Sequence, residues 1–149
     1  MKTLLIIAAG ALSASTALAA PPKASLQLIE TGRHLVQDIG LCADCHTARG
    51  PDGAFVAGKD LQGAPLGFKP LMDMPWSPAA PWIAGLPTMD DKEAITFLTT
   101  GVRPSGVPVL PPMPAYRFTA NEAKAIVAYL RTLPTPEAAD RAAATAARR

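Results

Sequence analysis

Apolar residues recur at helical spacing in the segment 25–39. Ser25 can cap the start of this predicted helix, and Gly40 can end it. The i, i+4 and i+7 spacing places the apolar residues on one side, so this side is expected to pack against the rest of the molecule. The predicted face consists of Leu28, Ile29, Gly32, Leu35, Val36 and Ile39.

A second helix is predicted over residues 120–133. Thr119 and Glu122 have the spacing of a capping box just before an apolar run, and Pro134 marks the stop. The tail 134–149 is rich in Ala and Arg, and it is expected to be a frayed helix or disordered. The inward stripe of the predicted helix consists of Ala123, Ile126, Val127 and Leu130.

Proline dominates the middle of the chain, because 11 of the 16 prolines lie in residues 65–114. Strands are disfavoured there, since proline lacks the backbone N–H that a strand ladder needs. A helix fits only between Pro87 and Pro104, where the segment 89–100 is predicted to be helical. This helix would have Thr88 as its N-cap and Gly101 just past its end, with Ile95 and Leu98 facing inward.

The composition suits one domain with a thin protein core. The chain has 149 residues, 49% hydrophobic but only 5% aromatic, and a net charge of +2. The small net charge argues against a nucleic-acid binder. Three amphipathic helices and long proline loops bury little apolar surface, so a large flat cofactor in the middle would add much stability.

The first 19 residues have the pattern of a secretory signal peptide. Lys2 is followed by a short apolar run, and Ala17-Leu18-Ala19 is a small-x-small cleavage site. The run is too short and too interrupted for a membrane anchor, and no other segment is expected to cross a membrane. The predicted divisions are therefore a signal peptide at 1–19, a domain at 20–133 and a tail at 134–149.

The main chemical motif is Cys42-Ala43-Asp44-Cys45-His46, which is the Cys-x-x-Cys-His signature of c-type haem attachment. Thiols at i and i+3 lie on one side of a helical turn, where they can form thioethers to two vinyl groups of one porphyrin. His46 follows directly and can reach the iron as proximal ligand.

Three other interpretations of the cysteine pair were weighed. A thioredoxin-like redox pair needs a βαβ setting, which the sequence does not predict. A structural zinc site would need every Cys and His, including His34 at an unusual spacing. A plain disulfide is compatible with export but leaves His46 unexplained.

Met113 is the preferred sixth ligand. It lies in Leu110-Pro111-Pro112-Met113-Pro114, a stiff extended run just before the last predicted helix. Packing is the alternative role, and Met72, Met74 and Met89 are the other methionines of the mature chain. His34 is expected to be an ordinary helical histidine, since it lies close to Cys42 and would not reach across a porphyrin. A haem-sized slot is expected between His46 and Met113.

On these residues the chain resembles a monohaem cytochrome c of the small, His/Met-ligated type. The resemblance covers about residues 25–133 and rests on the Cys42–His46 motif, on Met113 with Pro114, and on the terminal helix. It implies an all-α fold of three main helices, with a proline-rich loop wrapped around one covalently bound haem c. It also implies a close crossing of the first and last helices at Gly32 and Tyr129.

A narrower likeness links the chain to haem modules of periplasmic dehydrogenase cytochrome subunits. It rests on residues 97–106 and on the two short runs Pro112-Met113-Pro114 and Tyr116-Arg117-Phe118. Those subunits usually carry several haems, whereas this chain has one Cys-x-x-Cys-His motif. The resemblance also suggests that a backbone carbonyl near Pro65 orients the proximal imidazole. Candidate contacts of the haem propionates are Trp76, Trp82, Arg103 and Arg117.

The function implied is that of a periplasmic electron carrier rather than an enzyme. Two filled axial positions leave no open site for a substrate, so single electrons would pass to redox partners such as a dehydrogenase, an oxidase or another cytochrome. The alternatives are a haem enzyme, a gas or peroxide sensor with a labile distal Met113, and a tethered subunit of a dehydrogenase or oxidase complex. Nucleic acid is not expected as a partner, and no membrane span is expected in the mature chain.

Overall fold

The computed structural model describes residues 23–146, apart from the side chain of residue 24, so the predicted signal peptide lies outside the described residues. The described part of the chain is mostly helical, as predicted, with 44% of its residues in helices. One short π-helix, here called the π segment, continues the first helix. The elements in chain order are α1 (Lys23–His34), the π segment (Leu35–Ile39), α2 (Cys42–His46), β1 (Ala64–Pro65), β2 (Ala79–Ala80), α3 (Asp91–Thr100), α4 (Ala120–Arg131) and α5 (Pro136–Ala146).

The first helix begins earlier and buries a narrower face than the apolar pattern predicts. It starts at Lys23, so Ser25 lies inside the helix and does not cap it. Gly40 ends the π segment, as predicted, and its N–H bonds to the carbonyl of Leu35. The centre of the predicted face, including Leu35, is buried, whereas Leu28 and Ile39 at its ends are 41% and 59% exposed.

The crossing of α1 and α4 forms the centre of the protein core. All four residues of the predicted α4 stripe are buried. At Gly32 the helices approach so closely that a Cβ atom would overlap the carbonyl oxygen of Ala125 and lie 2.8 Å from Tyr129 Cβ. Gln37 Nε2 donates to Tyr129 Oη at 3.1 Å beside this point. The predicted pairing of Gly32 with Tyr129 is therefore confirmed.

The caps of α3 and α4 set where these helices begin. In α4 the predicted capping box is confirmed, with Thr119 and Glu122 each accepting the other's backbone N–H. The predicted start of α3 is wrong: the helix begins at Asp91, because Asp90 and Glu93 form a capping box and Thr88 does not cap it. Gly101 ends α3 with a φ of 72°, a left-handed conformation that glycine adopts without strain.

Backbone hydrogen bonds tie the long loops to the helical core. The hydroxyl of Thr47 accepts from the N–H of Leu61, and the Leu61 carbonyl accepts from Ile83 and Ala84. Strands β1 and β2 pair antiparallel over two residues each. The proline-rich middle is thus extended loop, as predicted, with one short strand pair that the prolines did not exclude.

Arg131 joins the end of α4 to the loop before α3. Its guanidinium donates to the carbonyls of Gly85, Leu86 and Met89 and to the Asp91 carboxylate, at 2.7–3.0 Å. The tail that follows forms α5, and none of its described side chains is buried.

Candidate functional site

The attachment motif forms its own short helix. Leu41, at a φ of 48°, turns the chain after the π segment, and α2 then runs from Cys42 to His46. Cys42 and Cys45 therefore lie one helical turn apart on the same element, as the motif predicts. Both are partly buried and free of any disulfide.

His46 is buried and held from two sides. Its Nδ1 lies 2.7 Å from the carbonyl oxygen of Pro81, and its own carbonyl accepts from the N–H of Gly63 at 2.7 Å. Because a carbonyl only accepts, Nδ1 carries the proton, and the lone pair of Nε2 is left for a metal. The expectation that the chain near Pro65 orients the imidazole is wrong, since the orienting carbonyl belongs to Pro81.

A carbonyl 35 residues along the chain was not predictable from the motif itself. Pro81 follows strand β2, and Gly63 precedes its partner β1, with Ala64 opposite Ala80. This register carries both groups to His46. The strand pair lies in a stretch where the prolines argue against strands, so the sequence offered no signal for it.

Burial sets the protonation of the motif's side chains. Burial lowers the pKa of His46, although the Pro81 carbonyl opposes the shift, so the imidazole is neutral near pH 7. Burial also raises the pKa of the Cys42 thiol to about 11, and the neighbouring Cys45 adds to the rise. An activated redox cysteine has a lowered pKa, so Cys42 does not resemble a thioredoxin nucleophile.

The zinc interpretation also finds no support in the described part of the chain. Within residues 23–146 no three side chains of His, Cys, Asp or Glu come together to hold a metal ion. His34 lies on the surface of α1, where its Nδ1 is 2.9 Å from an Asp38 carboxylate oxygen. It behaves as the ordinary helical histidine that the sequence predicts.

Met113 lies in the loop between α3 and α4, here called the methionine loop (residues 111–118). The side chain is partly buried. The carbonyl of Pro111 accepts from the N–H of Ser77, and the Pro111–Pro112 peptide is cis. At the other end, Tyr116 Oη donates to the carbonyl of Gly40 at 2.6 Å. The methionine loop is thus fastened next to the turn that precedes Cys42.

The remaining methionines differ from Met113 in exposure or in position. Met72 and Met74 are 76% and 40% exposed in the proline-rich loop. Met89 lies just before α3, where its carbonyl accepts from Arg131.

Two tryptophans were candidates for contact with haem propionates, and the structure separates them. Trp82 donates its indole N–H to the carbonyl of Ala84 at 2.8 Å. Trp76 has a buried indole N–H for which residues 23–146 supply no acceptor. Arg117 donates to two backbone carbonyls of its own loop, so its guanidinium is already committed in part. A buried N–H without an acceptor in the protein suits the carboxylate of a bound group.

These donors fit haem c. The attachment helix offers two thiols on one turn and one neutral imidazole with a free Nε2. Trp76, in the proline-rich loop, adds a buried indole N–H for which the described residues supply no acceptor. Two surface clefts of the described part of the chain lie elsewhere, one on α5 and one beside Arg131. Neither is the slot expected between His46 and Met113.

Fold and motif together define a helical protein built for covalent attachment of haem. The family model described as Cytochrome c matches residues 29–134, which is most of the chain. The chain therefore belongs to the cytochrome c family, which binds haem c covalently and transfers electrons. No curated protein matches the chain significantly. Among the helices of residues 23–146, none is long and apolar enough to cross a membrane.

Proposed function

We propose that the chain carries one haem c and shuttles single electrons between redox proteins in the periplasm. The haem would be attached through Cys42 and Cys45, with His46 and Met113 as its axial ligands. The observation that carries this proposal is the bond between His46 Nδ1 and the Pro81 carbonyl. This bond fixes the tautomer, with the proton on Nδ1, and leaves the Nε2 lone pair for a metal.

The haem and its two ligands would have separate roles in electron transfer. A bound haem iron would supply the one-electron change. The Pro81 carbonyl and the Gly63 N–H hold His46 in one orientation and would keep it there for the iron. The prolines around Met113 restrict its backbone, and a thioether opposite an imidazole raises the reduction potential. Because both ligands would be restrained, the change in structure that accompanies each electron transfer would be small.

Ligation of the iron at both faces would favour a carrier over a haem enzyme, because it would leave no open position for a substrate. The residues beside Met113 are Pro112, Pro114 and Ala115, and none can act as an acid or base. The proposed partners are a dehydrogenase, an oxidase or another cytochrome. With a formal net charge of only +2, long-range steering toward such a partner would be weak.

Export is part of the proposal. Cleavage after Ala19 would release a mature chain that starts at Ala20 and lacks the positive charge of Lys2. Amino-terminal sequencing of the protein recovered from a periplasmic fraction tests this, and a retained Met1 would contradict it.

Spectroscopy of the purified holoprotein tests the ligands. The reduced protein should show the narrow absorption bands of low-spin haem c. The oxidised protein should show the charge-transfer band of a methionine–iron bond at the red end of the visible spectrum, here called the near-red band. Met113→Leu should abolish the near-red band, whereas Met72→Leu and Met74→Leu, made as matched controls, should keep it. A band that survives Met113→Leu would overturn the assignment of this ligand.

Ligand binding and copurification separate the proposal from its rivals. Tight carbon monoxide binding to the reduced protein at neutral pH would favour a haem enzyme or a gas sensor, because it requires an open or labile position. Stable copurification with a dehydrogenase would indicate a subunit rather than a free carrier.

A further inference from the structure

The methionine loop is fastened to the attachment motif by one side chain that the proposed ligand set does not include. Tyr116 follows Met113 by three residues, and its hydroxyl donates to the carbonyl of Gly40, 76 residues away in the chain, at 2.6 Å. Gly40 is buried and lies two residues before Cys42. This bond therefore connects the loop of the proposed distal ligand to the segment that carries the proximal ligand.

Gly40 is a rigid anchor for this bond. Its own N–H donates to the carbonyl of Leu35, the first residue of the π segment. A Cβ atom at Gly40 would lie 2.9 Å from the Leu35 oxygen and 3.3 Å from the Cys42 sulfur. The backbone here is closely packed against both groups, so a displacement of the Gly40 carbonyl would also move Cys42.

The tyrosine ring is fixed as well as its hydroxyl. It stacks on Phe118 with centroids 4.9 Å apart and an angle of 19° between the planes. Phe118 packs against the buried core, and its N–H bonds to the carbonyl of Leu98 in α3. The hydroxyl is thus presented from a ring that has little freedom, which favours a single geometry for the bond.

We infer that Tyr116 is a positioning residue, whose hydrogen bond to Gly40 holds the methionine loop at a fixed distance from the attachment motif and so keeps Met113 on the iron. This inference rests on the proposed role of Met113. The expected loss on removing the hydroxyl is that of one partly buried hydrogen bond. It corresponds to about a three- to tenfold change in the equilibrium that releases the methionine.

Imidazole titration of the oxidised holoprotein measures that equilibrium. Added imidazole must displace the methionine, so its apparent affinity reports how firmly the loop holds Met113. Tyr116→Phe keeps the ring and its stacking and removes only the hydroxyl. We expect this variant to bind imidazole about three- to tenfold more tightly than the wild type, with the near-red methionine band lost at correspondingly lower imidazole concentration.

Tyr129→Phe is the matched control. It removes the hydroxyl that accepts from Gln37 at the crossing of α1 and α4, on elements other than the methionine loop. Both variants lose one hydrogen bond and are expected to unfold at lower urea concentration. Only Tyr116→Phe should change the affinity for imidazole, which separates positioning from general stability.

Three results would overturn the inference, and they differ in what they imply for the proposed function. If the wild type shows the methionine band and Tyr116→Phe binds imidazole with wild-type affinity, Tyr116 does not position the ligand and the proposed function stands. If the wild type shows no methionine band, the role of Met113 fails and the inference fails with it. An equal gain of affinity in Tyr129→Phe would also contradict the positioning role.

Discussion

The contact at Gly32 gives the most direct test of the fold. In Gly32→Ala, the new Cβ would overlap the carbonyl oxygen of Ala125 and lie 2.5 Å from its carbonyl carbon and 2.8 Å from Tyr129 Cβ. Non-bonded carbons prefer about 3.5–4.0 Å. Two of the three contacts are backbone atoms of α4, so relief requires the helices to move apart.

The size of the effect follows from two opposing terms. Overpacking a closely fitted contact costs about 1–3 kcal/mol, and a clash with backbone belongs at the upper end. Alanine gains about 1 kcal/mol over glycine in a helix interior. The free energy of unfolding should therefore fall by about 2 kcal/mol, with a decrease in Tm of roughly 8 °C.

Urea unfolding of the holoprotein, followed by circular dichroism, measures this change. Gly67→Ala is the matched control, because a Cβ at Gly67 would meet nothing within 4 Å. The control should unfold within about 0.5 kcal/mol of the wild type. The reasoning is refuted if Gly32→Ala is as stable as this control.

Three further substitutions probe the support of the site and the helix ends. Gly63→Ala should destabilise the protein, because its Cβ would lie 2.9–3.0 Å from the backbone at residues 80–82. It should also broaden the haem absorption bands, because this backbone includes the Pro81 carbonyl that orients His46. Gly58→Ala has a similar positive φ, 73° against 81° at Gly63, but open space around it, so it should show the backbone strain alone. Arg131→Lys should lower the free energy of unfolding by roughly 1–2 kcal/mol, because an ammonium group cannot make all three hydrogen bonds that the guanidinium donates to backbone carbonyls. Arg141→Lys on α5 should be neutral. For Glu122, hydrogen bonds from the Thr119 backbone and side chain lower the pKa, so its ionised form stabilises the fold at neutral pH. That contribution should be lost as pH falls through the lowered pKa, and Glu122→Gln should lose stability at pH 7 but little at pH 2.

Each of these expectations has a result that contradicts it. Equal loss in Gly63→Ala and Gly58→Ala in urea unfolding would show that contact with the Pro81 segment is unimportant. An Arg131→Lys variant as stable as Arg141→Lys would remove the role given to the guanidinium. A Glu122→Gln difference of the same size at both pH values would mean that ionisation of Glu122 is not involved.

The parts of the fold with local signals were predictable from the sequence. The capping box at Thr119 and Glu122 and the stripe through Leu130 fixed α4, since both depend on residues a few positions apart. The Cys42–His46 motif likewise placed three candidate ligands on one helical turn. At α3 the local signals competed, and the Asp90–Glu93 pair displaced Thr88 because it satisfies two backbone N–H groups at once.

The parts that depend on distant backbone groups were not predictable. The support of His46 comes from the Pro81 carbonyl, and a carbonyl is present in every residue, so side-chain identity carries no signal for it. The bond between Tyr116 and Gly40 has the same character. For Leu28 and Ile39, periodicity marked the correct side of the helix, but the contact with α4 covers only the middle of that side.

The crossing at Gly32 has a consequence for the order in which the molecule can be assembled. Gly32 meets Ala125, and all four candidate haem ligands lie in the stretch of chain between these two residues. A fragment that ends at Thr119 would contain every ligand and none of the helix that closes the core. Closing so long a loop has a large entropy cost, which the final contacts of α4 must offset. During synthesis, the attachment motif therefore emerges well before α4, the helix that closes the core. The first helix therefore has no packing partner until α4 has emerged.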